Sequence, residues 1–221
     1  MTEPAPSPQP APQPAPLPAP WPAGQRLSAP DAANSFLTTH FADHERYAPA
    51  LVRRLVALAS SGPFRQQYGR HLGGTKLYNP ETWDAALGGF LNARALAFHR
   101  AVTRRQDGVV EAGWANLYRA GDYIVPHSHT RADMSLVYML DPGDADPAEP
   151  TSGRFCFAEP RWALCCQLEP GRLSNTIGPT MTPGTMLIFP AEAVHFVHPY
   201  LGQRPRITLS WNITHGRRPP G

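Results

Sequence analysis

Three histidines and an arginine are the residues whose types and spacing could do chemistry in this chain. In Gly121-Asp122-Tyr123-Ile124-Val125-Pro126-His127-Ser128-His129, two histidines stand at i and i+2. On a strand that spacing sends both imidazoles to one side, about 7 Å apart at the backbone, which suits two ligands on one metal. His195 follows 66 residues after His129, at a strand start beyond Met186-Leu187-Ile188-Phe189. Three neutral imidazoles on a rigid sheet would make a facial site for Fe(II), or another borderline divalent ion, with positions open for substrate, cosubstrate or oxygen. A His-x-His pair alone fits an exposed polar strand equally well. His198, at i+3 from His195, should point to the opposite face and stay outside the cluster. Near the C-terminus Arg206, Thr208, Ser210 and Asn212 alternate with Ile207, Leu209, Trp211 and Ile213. The polar face is either solvated or turned into a barrel mouth, where an arginine with a hydroxyl two residues on forms a fork for a carboxylate.

These residues need a sheet to hold them. After Gly113 the apolar period is two, and short strands are predicted around Trp114 to Tyr118, Tyr123 to His129, Met134 to Leu140, Arg154 to Phe157, Thr185 to Phe189, Val194 to Val197 and Arg206 to Ile213. Asp141-Pro142-Gly143, Pro170-Gly171 and Pro183-Gly184 supply turns between them. Residues 31–107 read as helical support. Tyr47, Leu51, Leu55 and Leu58 recur at helical spacing up to Gly62-Pro63, and a second helix opens at Asn79-Pro80-Glu81, with Asn79 as its cap, and carries Trp83, Leu87, Leu91, Leu96 and Val102. His40, His44, His71 and His99 lie there without mutual metal spacing and read as solvated or structural. The fold class is therefore α+β with a mainly β core, a sandwich or barrel at 113–213 backed by helices within one domain, 31–215. The stretch from Pro160 to Pro183, with Trp162, Cys165 and Cys166, is a candidate lid or substrate wall.

Composition narrows the function. Of 27 prolines eleven fall in the first 30 residues, ten of them at every even position from Pro4 to Pro22, so 1–30 is expected to be a disordered, polyproline-like tail. Residues 216–221 are expected to be a flexible C-terminus. No run approaches the roughly 18 apolar residues of a spanning helix, and no signal peptide is evident. Three cysteines without a regular spacing argue against a disulfide framework, which fits reduced thiols and a cytoplasmic setting. The basic residues are 19 arginines and the single Lys76, with no clustered stripe to suit nucleic acid.

Taken in order, the segments resemble the iron(II)- and 2-oxoglutarate-dependent oxygenases with a double-stranded β-helix (jelly-roll, cupin-like) core, and within them a bacterial and phage branch with an H-x-H…H motif. The matching residues are Trp114-Ala115-Asn116, Gly121-Asp122, His127-Ser128-His129, Ser135 to Leu140, Gly153 to Phe157 with Pro160-Arg161, Pro183-Gly184 to Phe189-Pro190, His195 to Pro199 and Arg206 to Asn212. They span about 100 residues. The resemblance implies a dioxygenase in which His127 and His195 ligate Fe(II), joined by His129 where most of the superfamily carries an acid. It implies that Arg206, assisted by Thr208, pairs with the distal carboxylate of 2-oxoglutarate, with hydroxyls of Tyr118 and Tyr138 near it. The implied reaction is hydroxylation of an unactivated C–H bond with O2, releasing succinate and CO2. A glycine or alanine at position 129 would leave a halide position; His129 does not, so halogenation is not expected. The substrate class left open is a small molecule, an amino acid or a carrier-bound group, with no nucleic acid or membrane partner and no indication of oligomeric state.

A second reading shares the fold. Gly121, His127-x-His129 and Asp133 nearly match the first cupin motif, and Gly184, Pro190 and His195 the second. On that reading Asp133 joins the three histidines, in a metal-dependent dioxygenase, isomerase or ligand-binding protein without 2-oxoglutarate. Arg206-x-Thr208 and the Ser135 to Leu140 segment have no use there. A metal-free scaffold recruiting partners through its proline tail is a third reading.

Overall fold

The computed structural model describes residues 16–28, 36–61, 74–146, 148–158 and 178–216. In chain order the elements are β1 (Leu37–His40), α1 (Ala48–Ser60), β2 (Thr75–Tyr78), α2 (Ala85–Thr103), β3 (Gly108–Tyr118), β4 (Ile124–His127), β5 (Met134–Asp141), β6 (Phe155–Phe157), β7 (Thr185–Pro190), β8 (His195–Val197) and β9 (Arg206–His215). Six strands form a major sheet in the order β1-β7-β5-β9-β3-β2, and three a minor sheet in the order β4-β8-β6. Every pairing is antiparallel. This is the double-stranded β-helix, with α1 and α2 covering the outer face of the major sheet.

Strand alternation produces two cores. Leu136, Tyr138, Met186, Ile188, Leu209 and Trp211 turn toward the helices and meet Leu51, Leu55, Leu91 and Phe98. Their neighbours Val137, Leu187 and Phe189 turn the other way, toward Phe155, Phe157 and Val197 of the minor sheet. Because the minor sheet closes over the inner face of the major sheet, the polar face of β9 has no solvent to meet, and Arg206, Thr208 and Ser210 are all buried between the sheets.

Three expectations are corrected. The N-terminal half is not wholly helical: β1 and β2 extend the major sheet at its two edges. Four-residue strands flanked by helices leave too few alternations to reveal their period. Next, α2 starts later than Asn79. Asn79 is left-handed at φ 59° and precedes a single 3-10 turn, Pro80–Thr82, while Asp84 is extended and accepts a hydrogen bond from the Leu87 N–H as the true cap. Gly88 then passes so close to Pro80 that a Cβ would collide with its backbone.

The third correction concerns the tail. Residues 16–28 pack on the domain: Trp21 stacks on Phe98 and meets Phe41 edge-on, each at 5.9 Å between ring centres. Gln25 donates to Thr39 Oγ1 and to the His40 carbonyl. Arg94 on α2 is fully buried; it forms an ion pair with Asp43 at 2.6 Å, donates to Tyr47 Oη, and directs remaining donors at the carbonyls of Ala19 and Pro20. Proline lacks a backbone donor but keeps its acceptor, which is what a buried guanidinium needs. Deleting 1–28 should strip acceptors from buried Arg94 and expose Phe41 and Phe98, lowering it by roughly 5–15 °C in a thermal melt. No helix among the described residues is long and apolar enough to cross a membrane. Pro160-Arg161, Trp162, Cys165 and Cys166 lie outside the described residues, as do residues 1–15 and His71.

Candidate metal and cosubstrate site

The minor sheet positions the first two histidines. Ile124 pairs with Val197 and His127 with His195, so β4 contributes one more residue than β8 between these pairs. That extra residue is a bulge, and Pro126, which has no N–H to give the ladder, sits in it. Without the bulge Pro126 would face His195; with it, the two imidazoles stand opposite each other at 4.3 Å between ring centres. His129 lies beyond the end of β4, not on a strand as its spacing predicted. Its N–H donates to the Ala191 carbonyl at 2.8 Å, tying the loop after β4 to the turn before β8. This puts its ring 5.1 Å from His127 and 5.2 Å from His195.

The result is a cluster in which one nitrogen from each of His127, His129 and His195 lies within 4.8 Å of the others. His127 Nδ1 donates to the Val125 carbonyl and His195 Nδ1 to the Ala193 carbonyl, each at 2.9 Å. Those bonds leave both Nε2 lone pairs available to a cation, the arrangement expected of metal-ligating imidazoles. Burial drives the histidine pKa values down, to about 4 for His129 and about 3 for His195, with His127 lowered as well. Neutral rings packed together around unpaired lone pairs are suited to a divalent ion.

Arg206 occupies the same chamber as the cluster, with Tyr118, Asn116, Thr208 and Ser210. It pairs in register with Tyr118, and its guanidinium carbon lies 4.9 Å from that ring. Burial raises the Tyr118 pKa, and the neighbouring Arg206 and Thr208 partly offset that shift. The Asn116 amide donates to Thr208 Oγ1 and Ser210 Oγ, and is itself oriented by the Trp114 indole N–H. Arg206 is only 3 % exposed, yet its Nη1 has no hydrogen-bond partner. A buried cationic donor without an acceptor is costly, and a carboxylate is the group that would satisfy it. These residues fit both the metal and a dicarboxylate.

Not every candidate is brought together. Tyr138 lies on the opposite face of β5, where its hydroxyl meets His44 Nδ1 and Tyr47 Oη among the helices. It shares that face with Leu136 and Leu140, as alternation requires. Asp133 points away from the histidines and accepts from the His215 N–H at 2.8 Å. His198 is outside the cluster, as expected, with its ring against Phe196. Lys76 is the residue that sequence reasoning missed: it lines the chamber from β2 and lies over the Trp114 ring. Its one available signal was being the only lysine among 20 basic residues.

The family model described as "Putative 2OG-Fe(II) oxygenase" matches residues 112–212, which contain the histidine cluster and Arg206. No curated protein matches the chain. Among solved structures, AviO1 from Streptomyces viridochromogenes Tue57 is 15 % identical with a TM-score of 0.59, over 85 % of this chain and 93 % of that one. The non-heme alpha ketoglutarate dependent epimerase SnoN from nogalamycin biosynthesis is 14 % identical with a TM-score of 0.61, over 85 % and 80 %. The viral collagen prolyl hydroxylase of Paramecium Bursaria Chlorella virus-1 is 12 % identical with a TM-score of 0.52, over 82 % and 97 %. At these identities the structures establish the fold, and the family match falls on the strands that build the site. Over residues 112–212, the part that holds the site, the chain matches the family of 2OG-Fe(II) oxygenases, enzymes that use Fe(II), 2-oxoglutarate and O2.

Proposed function

We propose that this oxygenase hydroxylates an unactivated C–H bond of a small, amino-acid-like or carrier-bound substrate, with His127, His129 and His195 holding Fe(II) and Arg206 holding the distal carboxylate of 2-oxoglutarate. The observation that carries the reading is the orphaned Nη1 of buried Arg206 in the same chamber as three neutral imidazoles. When bound, iron and 2-oxoglutarate supply the oxidising equivalent from O2, with succinate and CO2 as products.

The protein's own part is placement. The Tyr118 ring packs against the guanidinium and holds it in line, so the cosubstrate enters with one orientation. Carbonyls of Val125 and Ala193 keep His127 and His195 in the metal-binding tautomer. Phe155 and Phe189, against the His195 ring, exclude water from that side. On the other side His129 also borders an outer cleft of about 840 Å³. Its walls include Arg105, Arg131, Asp133, Glu192 and His215, a polar lining of both signs that suits a polar, amino-acid-like substrate better than an apolar one.

Anaerobic protein with one equivalent of Fe(II) should develop the weak visible charge-transfer band of the chelate when 2-oxoglutarate is added. Stoichiometric iron without the band would favour the cupin reading. Against that reading, Asp133 is engaged with His215 rather than directed at the histidines.

A further inference from the structure

We propose that Lys76 is a second cationic anchor for the cosubstrate: it grips the carboxylate next to the keto group, at the end of the chamber opposite Arg206. The inference rests on the reading of the site above and adds a residue that the metal and Arg206 do not require. Lys76 pairs in register with Asn116, and Asn116 with Thr208, so the three share one inward-facing row across β2, β3 and β9. Arg206 stands at the next inward position on β9, opposite Tyr118. From its row the lysine side chain turns the other way, reaching over Trp114 with Nζ 5.6 Å from the ring centre, and Trp114 in turn lies 6.0 Å from the His129 ring. Lys76 and all three histidines line the same chamber.

The chamber therefore has a cation near each end, and among the described residues lining it there is no Asp or Glu. A short dianion with carboxylates at both termini complements that charge pattern, and a monoanion uses half of it. Three neutral histidines contribute no negative charge to offset a divalent ion, so the ammonium adds to the attraction for the carboxylate beside the metal. An ammonium on a flexible stem suits this role, because it supplies a point charge without competing for the metal's open positions.

The test compares 2-oxo acids that differ only at the distal end, by calorimetric titration of anaerobic Fe(II)-loaded protein. For wild type, 2-oxoglutarate should bind more tightly than 2-oxobutyrate, which lacks the distal carboxylate. Lys76→Met should weaken both by the same factor, roughly ten- to hundredfold, and Lys76→Arg should recover part of the loss. Arg206→Met should weaken 2-oxoglutarate alone. Iron content and far-ultraviolet circular dichroism of each variant show that the metal site and fold are intact. Unchanged affinity for both acids in Lys76→Met would overturn the proposal, as would a loss confined to 2-oxoglutarate, which would make Lys76 a distal anchor. Absence of iron binding, or indifference of 2-oxoglutarate to Arg206→Met, would instead refute the underlying site reading.

Discussion

Alanine at His195 is expected to give a folded protein that no longer retains iron and no longer converts 2-oxoglutarate to succinate. Changing residues that merely orient a ligand typically costs ten- to hundredfold in metal affinity, so losing a ligand should exceed about a hundredfold. His195 is the most buried of the three and has His127 directly across the ladder, so no neighbouring side chain can take its place. Iron per chain after gel filtration, alongside a thermal melt, checks the result. His129→Ala should behave similarly, while His129→Asp should retain metal, because a carboxylate there still offers a ligand atom. Iron content unchanged in His129→Ala would sink the three-histidine site.

The same substitution has a pH signature in metal-free protein. Folding holds His195 at about 3 and His129 at about 4, while the unfolded chain accepts protons below about 6.5. As the pH falls from about 6.5 toward these values, the unfolded state binds protons that the native state refuses, so stability declines. The sign is fixed by the direction of both shifts. Denaturant melts of metal-free wild type should show the decline, and His195→Ala should flatten it.

Replacing Arg206 with methionine is the second large effect, and its two readouts move in opposite directions. Affinity for 2-oxoglutarate should fall by about 2–5 kcal/mol, the usual cost of truncating one partner of a buried charge pair. That is roughly thirty- to several-thousandfold. The ligand-free protein, by contrast, should melt at the same temperature or higher. Arg206 is desolvated, burial lowers its pKa, and Nη1 has no acceptor, so the empty chamber gains little from the charge. Adding 2-oxoglutarate should raise the melting temperature of iron-loaded wild type and leave the variant unmoved. A variant that kept the ligand-induced rise would show that Arg206 is not the anchor.

Much of this site was legible in the sequence because it depends on alternation. Arg206, Thr208, Ser210 and Asn212 share a face in any strand, and His195 and His198 do not. The order of motifs from Trp114 to Asn212 also carried the family, since it records which side chains the β-helix must supply. Residues whose roles depend on distant partners were less legible. Tyr118 and Tyr138 are both strand tyrosines near the motifs, yet only Tyr118 faces Arg206, because on β3 Ala115 and Leu117 take the helix side and leave Tyr118 to the minor sheet, while on β5 Tyr138 shares the helix side with Leu136 and Leu140. The arm from Pro16 to Ser28 looked like tail because composition does not disclose that Arg94, more than 70 residues away, needs its carbonyls.

The sequence by itself determined which atoms could do the chemistry: three imidazoles, a guanidinium and an alternating strand to present it. Only the tertiary structure decided that they meet. The bulge at Pro126 turns His127 toward His195, a hydrogen bond to Ala191 holds His129 in place off the strand, and the minor sheet over β9 buries Arg206 with its Nη1 unpartnered. Lys76 enters the same chamber from a sheet edge that the local pattern did not reveal. The physical reason is that local sequence sets the period of each element, while the direction in which a face points is set by the layers packed against it.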